Sequence, residues 1–305
     1  MSRTFSPTDA AVEGFRIIRR RPDILPVWGA LVLLAVAGAL GVIGSVLAPD
    51  VAHLVNALQS HGTPDALRPA AEKVRGTQLL LTPLTAALHA VLGTAVLRAV
   101  LRPDSRSIGY LGLGADEFRV FLVQTVSGLL IGSVLVAFVL FVMVFTAIGI
   151  AAAGLHSADI GRAVLGAVVI GGLMGGLGTG YVAIRLSLAA PMTFEAGAFR
   201  MFESWSQTRG QVWRLTGAYV LAGFLNMVVF LALLVAGVIV GGGVFIAEGG
   251  LAVLANPGSG SALLSVIWPA VLVGMVPVAL ASVMQTLVLQ APAARAFRSL
   301  SLSQD

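Results

Sequence analysis

The residues of this 305-residue chain that can do chemistry are few and scattered. His89 is the only histidine inside an apolar run, and no carboxylate lies in the central part of any run. An ionisable group at membrane depth is costly and is by default a functional candidate. Two readings of His89 stand: a ring hydrogen-bonded to a neighbouring helix, or a proton-relay or ligand group. The missing carboxylate favours the first and argues against a proton-coupled pump. His53 and His61, with Asp50 and Asp65, sit in one polar interval, but the histidines lack the H-x-x-x-H spacing that places two ligands on one helix face, so no metal site is expected. Glu248 stands alone in a glycine-rich stretch. The chain has no G-x-S-x-G elbow, no H-E-x-x-H and no paired carboxylates, so no catalytic residue and no cofactor is expected.

The stretch GGLMGGLGTG, residues 171–180, needs a separate account. A dinucleotide fingerprint requires G-x-G-x-x-G between a strand and a helix, yet Gly176-x-Gly178 is followed by Tyr181 at the third position. A phosphate loop requires Gly-Lys-Ser/Thr, which is missing. What remains is Gly172-x-x-x-Gly176-x-x-x-Gly180, with Gly171 and Gly175 as a second row. Small residues at this spacing let helix backbones approach closely in a membrane, so the row is expected to pack against another span of the chain, the alternatives being that it lines a cavity or forms a dimer.

The elements carrying these residues follow from composition. The chain is 57% hydrophobic and 11% charged, against a soluble norm of about 45–50% and about 25%. A spanning helix needs roughly 20 apolar residues. Six such runs lie near 24–48, 78–101, 118–150, 164–190, 213–241 and 264–291. They are continuous rather than alternating, which disfavours a β-barrel. The expected fold is all-α: a polytopic six-span bundle forming one integral membrane domain, 1–305. The first run is longer than the roughly 7–15 residues of a signal-peptide core and is expected to be retained as a span.

The chain is basic, with a pI near 10.6, but the placement of charge points to topology rather than to nucleic acid. Fifteen of the 19 lysines and arginines fall before span one, around the links from two to three and from four to five, or after span six. Only Arg68, Lys73, Arg75 and Arg162 fall on the other side. Positive residues favour the cytoplasm, which puts both termini inside. The absence of cysteine excludes disulfides, thiolate metal sites and cysteine nucleophiles.

Three echoes suggest internal repeats. LSLAAP ends at Pro191, LVLQAP at Pro292 and the looser AVLRAVLRP at Pro103. The lead-ins to the odd spans also echo one another, at 15–29, 116–128 and 211–223. Three parallel two-span units are therefore expected, 1–103, 104–191 and 192–292, each with a cytoplasmic amphipathic lead-in helix. In the third, Phe199, Phe202, Trp205, Arg209, Val212 and Trp213 recur at helical spacing and suit an interfacial helix. The segment reads first as a structural collar; in the alternative reading Trp205, Arg209, Trp213 and Arg214 are the candidate contacts to lipid or a partner. Arg98 and Arg185, near span ends, either snorkel to the interface or bind lipid phosphate. Gln124, Asn226 and Gln285 are read as interhelical hydrogen-bonding groups.

The stretch RLSLAAPMTFEAGAFRMFESWSQTRGQVWRLTG, residues 185–217, resembles the membrane domain of bacterial glycerophosphoryl diester phosphodiesterases and of related stand-alone inner-membrane proteins. The matching positions are Arg185, Pro191, Glu195, Ser204, Trp205, Thr208, Gly210, Trp213 and Arg214. The resemblance implies a helical, multi-pass protein of the bacterial inner membrane. It implies no phosphodiesterase activity, because those enzymes act through a separate soluble barrel with a His-Arg-Gly opening, which has no counterpart here. The expected role is non-enzymatic: organising or assisting another membrane or envelope component, with membrane lipids and another membrane protein as partners and no nucleic acid. The alternative is a transporter or channel for a lipid-like solute, with a path reaching mid-membrane near His89 and the span-four glycines.

Overall fold

The computed structural model describes residues 5–47, 64–105, 107–153, 157–255 and 260–301. In chain order these form α1 (Pro7–Ala11), α2 (Glu13–Arg20), α3 (Ile24–Leu47), α4 (Pro64–Leu101), a 3-10 turn (Ile108–Tyr110), α5 (Ala115–Ala153), α6 (Ser157–Leu186), α7 (Ala189–Ala196), α8 (Glu203–Gln207), α9 (Val212–Ala247), α10 (Gly250–Ala255) and α11 (Gly260–Ser301). Among the described residues there is no strand, and six helices (α3, α4, α5, α6, α9 and α11) are long and apolar enough to cross a membrane. Helices satisfy their own backbone groups where no water is present, which is why continuous apolar sequence takes this form.

Several helices outrun their apolar stretches. α4 begins at Pro64, well before the expected start near 78, because PDALRPAAEKVRGT pairs proline at the helix start with good helix formers. The 39 residues of α5 extend roughly 58 Å at about 1.5 Å per residue, against a hydrocarbon core about 30 Å thick. The fourth run breaks at Ser187-Leu188, so its last turn belongs to α7. The echoed prolines behave differently: Pro191 follows that break, whereas Pro292 lies inside unbroken α11.

The core gathers at the arginine-rich end of the bundle. Trp28, Leu92, Val96, Leu97, Val120, Phe194, Val283 and Leu287 are buried there together. Trp28 is fully buried and donates Nε1–H to the Gly109 carbonyl at 2.8 Å. Gly109 has φ +57°, and a side chain there would press on the Trp28 ring. The N-terminal helices are packed into this core rather than laid on its surface: a Cβ on Gly14 would lie 2.8 Å from the Leu287 carbonyl oxygen of α11. Beside it Glu13, 3% exposed, faces Arg16 at 3.3 Å, Arg295 at 3.8 Å and Arg20 at 4.0 Å.

Two close helix crossings rest on glycine. α9 meets α11 where a Cβ on Gly241 would lie 3.1 Å from the Ala270 carbonyl oxygen and one on Gly237 would lie 3.6 Å from that of Gly274. α6 meets α5 through Gly171 against Val142 and Gly175 against Phe138. The packing expected of Gly172, Gly176 and Gly180 is therefore made by the second row. A Cβ on any of those three would have nothing within 4 Å.

The lead-in at 197–213 is not one helix. Gly197 at φ +61° and Gly210 at φ +79° occupy the left-handed region, and only Glu203–Gln207 between them is α-helical. Helical spacing of aromatics holds in the sequence, but two left-handed glycines divide it.

Candidate functional site

The end of α6 and the chain that folds back under it form a connected cluster of polar groups at the basic end. Where α6 stops, the Arg185 carbonyl loses its helical partner, and Ser204 Oγ donates to it at 2.7 Å. Thr208 Oγ1 donates to the Ser204 carbonyl at 2.8 Å and accepts from Arg185 Nη1 at 3.2 Å. The Arg185 guanidinium carbon sits 4.6 Å from the Trp205 ring centroid and 5.7 Å from that of Tyr181. The two rings meet edge to face at 6.1 Å. A desolvated cation against an aromatic face gains about 2 kcal/mol, so the stack holds the arginine without an acid. Arg185 is only 8% exposed, its Nε has no hydrogen-bond partner, and among the described residues no carboxylate pairs with it.

Beside this stack runs an apolar groove of about 570 Å³ between α6 and the start of α9, lined by Gly176, Gly180, Tyr181, Ile184, Gly210 and Trp213 among others. The groove exists because Gly176 and Gly180 carry no side chain. Trp213 stands on its rim, 87% exposed. Arg209 is exposed in the turn before α9, and Arg214 Nη1 is buried without a hydrogen-bond partner.

Arg98 has a different environment from Arg185. It is held inside the protein by Glu117 and by the Tyr110 carbonyl at 2.6 Å, with Phe194 under its guanidinium at 5.9 Å. Its charge is met internally. His89 lies on an exposed face of α4, and its Nδ1 is 2.9 Å from the Thr85 carbonyl of its own helix. It does not line the α6–α9 groove. The structure thus joins Arg185, Trp205, Trp213, Gly176 and Gly180 into one region and leaves His89 and Arg98 outside it. Asp50, His53 and His61 lie outside the described residues.

Sequence reasoning missed the Glu13 cluster and the Gly237/Gly241 crossing. Glu13 with Arg16 at i+3 and Arg20 at i+7 was the available signal for the first. Gly237-x-x-x-Gly241 was the signal for the second.

The six long apolar helices mark a multi-pass α-helical membrane protein. No family model, curated protein or solved structure matches the chain.

Proposed function

We propose that the protein is a non-enzymatic, multi-pass protein of the bacterial inner membrane, with both termini cytoplasmic, that organises or assists another membrane or envelope component. It does so through the α6–α9 groove, which takes an acyl chain of an anionic lipid and presents the headgroup to the arginines at its end. The observation that carries this reading is Trp213, 87% exposed on the rim of an apolar groove that ends beside Arg185, a buried guanidinium with no carboxylate partner among the described residues. Arg209 and Arg214 add positive charge at the same level, and an anionic phosphate complements all three. The likeness of residues 185–217 to the phosphodiesterase membrane domain agrees with a stand-alone membrane role. The transporter or channel reading asks for a path joining His89 to the α6 glycines. His89 is bonded to its own helix on an exposed face, away from the groove, which favours the organising role.

The test is tryptophan quenching in nanodiscs carrying brominated acyl chains, in a Trp268→Phe background that removes the exposed indole of α11. Brominated phosphatidylglycerol is expected to quench the emission that Trp213→Phe removes more strongly than brominated phosphatidylcholine does, and Arg185→Met is expected to abolish the difference. The Trp213→Phe variant separates this emission from that of Trp205, which is 41% exposed. Equal quenching by both lipids in the parent protein would rule the lipid contact out.

A further inference from the structure

A second cavity, of about 340 Å³, lies where α4, α5, α7, α9 and α11 converge, with the α6–α7 break on one side. Its lining includes Gln124 and Ser127 from α5, Ser187 from the break, Tyr219 from α9 and Gln290 from α11. Among the described residues no charged side chain lines it. Gln124 and Tyr219 hold the same place in the echoed lead-ins DEFRVFLVQTVSG and QVWRLTGAYVLAG, so two matching positions send polar groups to one point.

The Tyr219 and Ser187 side chains are hydrogen-bonded to each other, whereas the two amides are under-satisfied. Gln124 Nε2 reaches Gln290 Oε1 at 3.5 Å, the outer limit of a hydrogen bond. Whichever way the amides are turned, one carbonyl and one NH₂ remain without a protein partner among the described residues. Ser187 Oγ donates to the Ile184 carbonyl at 2.7 Å. Both glutamines are half-buried on an accessible cavity, and a polar group shielded from water without a partner costs about 1–3 kcal/mol, so a ligand that covers this space must itself match the amides. The volume falls within the roughly 300–1,000 Å³ typical of ligand sites. The lining continues along α5 to Gly128 and Ile131, and a Cβ on Gly128 or Gly132 would meet nothing within 4 Å, which leaves an open strip toward the bilayer.

We infer that this cavity binds the uncharged, hydroxyl-bearing head of a membrane amphiphile, with its tail along the Gly128–Gly132 strip. A hydroxyl both donates and accepts, which matches a free amide carbonyl beside a free NH₂. A charged head finds no counter-ion here, because neither Arg98, already paired with Glu117, nor Arg185 is part of the lining. The site is distinct from the α6–α9 groove and does not depend on it.

The experiment is native mass spectrometry of the full chain with added dioleoylglycerol, monoglucosyl diacylglycerol or phosphatidic acid of the same chains. Retention of either neutral lipid at least about tenfold above phosphatidic acid is expected; preference for the first assigns a glycerol head, and for the second a sugar head. Gln290→Leu and Gln124→Leu are expected to reduce that retention about tenfold, the loss of one good hydrogen bond. Gln285→Leu, on an exposed face of α11, is expected to leave it unchanged. Ser127→Ala and Gly93→Ala provide milder changes should the leucine variants fail to fold. The first removes a lining hydroxyl; the second puts a methyl 2.9 Å from Gln124 Nε2 and against Gln290. Both are expected to weaken retention. Preference for phosphatidic acid, retention indifferent to all four of these variants, or no retained lipid, which would mean a cavity filled by water alone, each overturns the inference. Trp213→Ala is expected to leave this retention intact, so failure of the groove reading is read separately.

Discussion

Replacing Gly171 and Gly172 in turn by alanine tests the assignment of glycine rows on α6. A methyl on Gly171 would lie 2.7 and 2.8 Å from the two γ-carbons of Val142 and 3.2 Å from its Cβ. Valine is stiff at χ1 in a helix, and rotating it would exchange one methyl for another without moving Cβ. α5 and α6 must therefore separate, and overpacking of this kind costs about 1–3 kcal/mol. Against this, alanine gains up to about 1 kcal/mol over glycine in helix propensity. Gly172 has nothing within 4 Å of the same methyl, so only the propensity gain remains there. The two variants should differ by the strain itself, about 1–3 kcal/mol, with Gly171→Ala the less stable. Equilibrium unfolding by sodium dodecyl sulfate in mixed micelles, followed by far-ultraviolet circular dichroism, reads the difference directly. Gly172→Ala as destabilised as Gly171→Ala would refute the reasoning, because the first row would then be a packing face.

Three other perturbations probe the basic end. Glu117→Gln strands the Arg98 guanidinium and should lower stability by about 3–5 kcal/mol, with most of the loss recovered when Arg98→Met is added; a double-mutant cycle in the same titration checks it. Trp28→Phe removes the buried bond to the Gly109 carbonyl and orphans that oxygen, for an expected loss of about 1–3 kcal/mol in the same assay. Hydrogen bonds from Arg16 and Arg21 hold the Asp9 and Asp23 carboxyls below their ordinary 3.8. Because the folded values are the lower ones, this stabilisation is complete above the ordinary value and is lost as pH falls through the folded value. Amide exchange across residues 7–20 should accordingly hold steady from neutral pH to about 5 and quicken only below about 4, once the intrinsic rate is corrected.

The spans were legible because hydropathy and length are summed properties of a run, insensitive to which residue faces which neighbour. The helix faces were not. In lipid both packed and exposed faces are apolar, so hydrophobic patterning no longer marks the inside. Gly172 and Gly171 are adjacent and chemically identical, and only the position of Val142 on another helix decides which one is pressed against it. Glycine density drew attention to α6, while the α9–α11 crossing rests on Gly237 and Gly241 meeting Ala270 and Gly274, a match visible only in pairs. The 197–213 stretch fails as one helix for a local reason: Gly197 and Gly210 adopt left-handed backbone, which side-chain periodicity does not register.

The stretch 185–217 was the most informative in the sequence, and the fold explains much of its pattern without invoking a ligand. Ser204 caps the carbonyl freed where α6 ends, Thr208 links that cap to the Arg185 guanidinium, Trp205 covers the guanidinium, and Gly210 supplies the left-handed turn into α9. Such residues would be required for folding alone, so they are weak witnesses to function. Trp213 is different. It is 87% exposed and caps no helix end, and its ring contributes to the lining of the groove. An indole is a costly residue to leave outside a fold and a useful one at a membrane interface, where its ring is apolar and its N–H is wet. The contrast between these internally employed residues and Trp213 is therefore the better guide, and it is why the proposed lipid contact is read out at Trp213, with Arg185→Met serving only to remove the charge behind it.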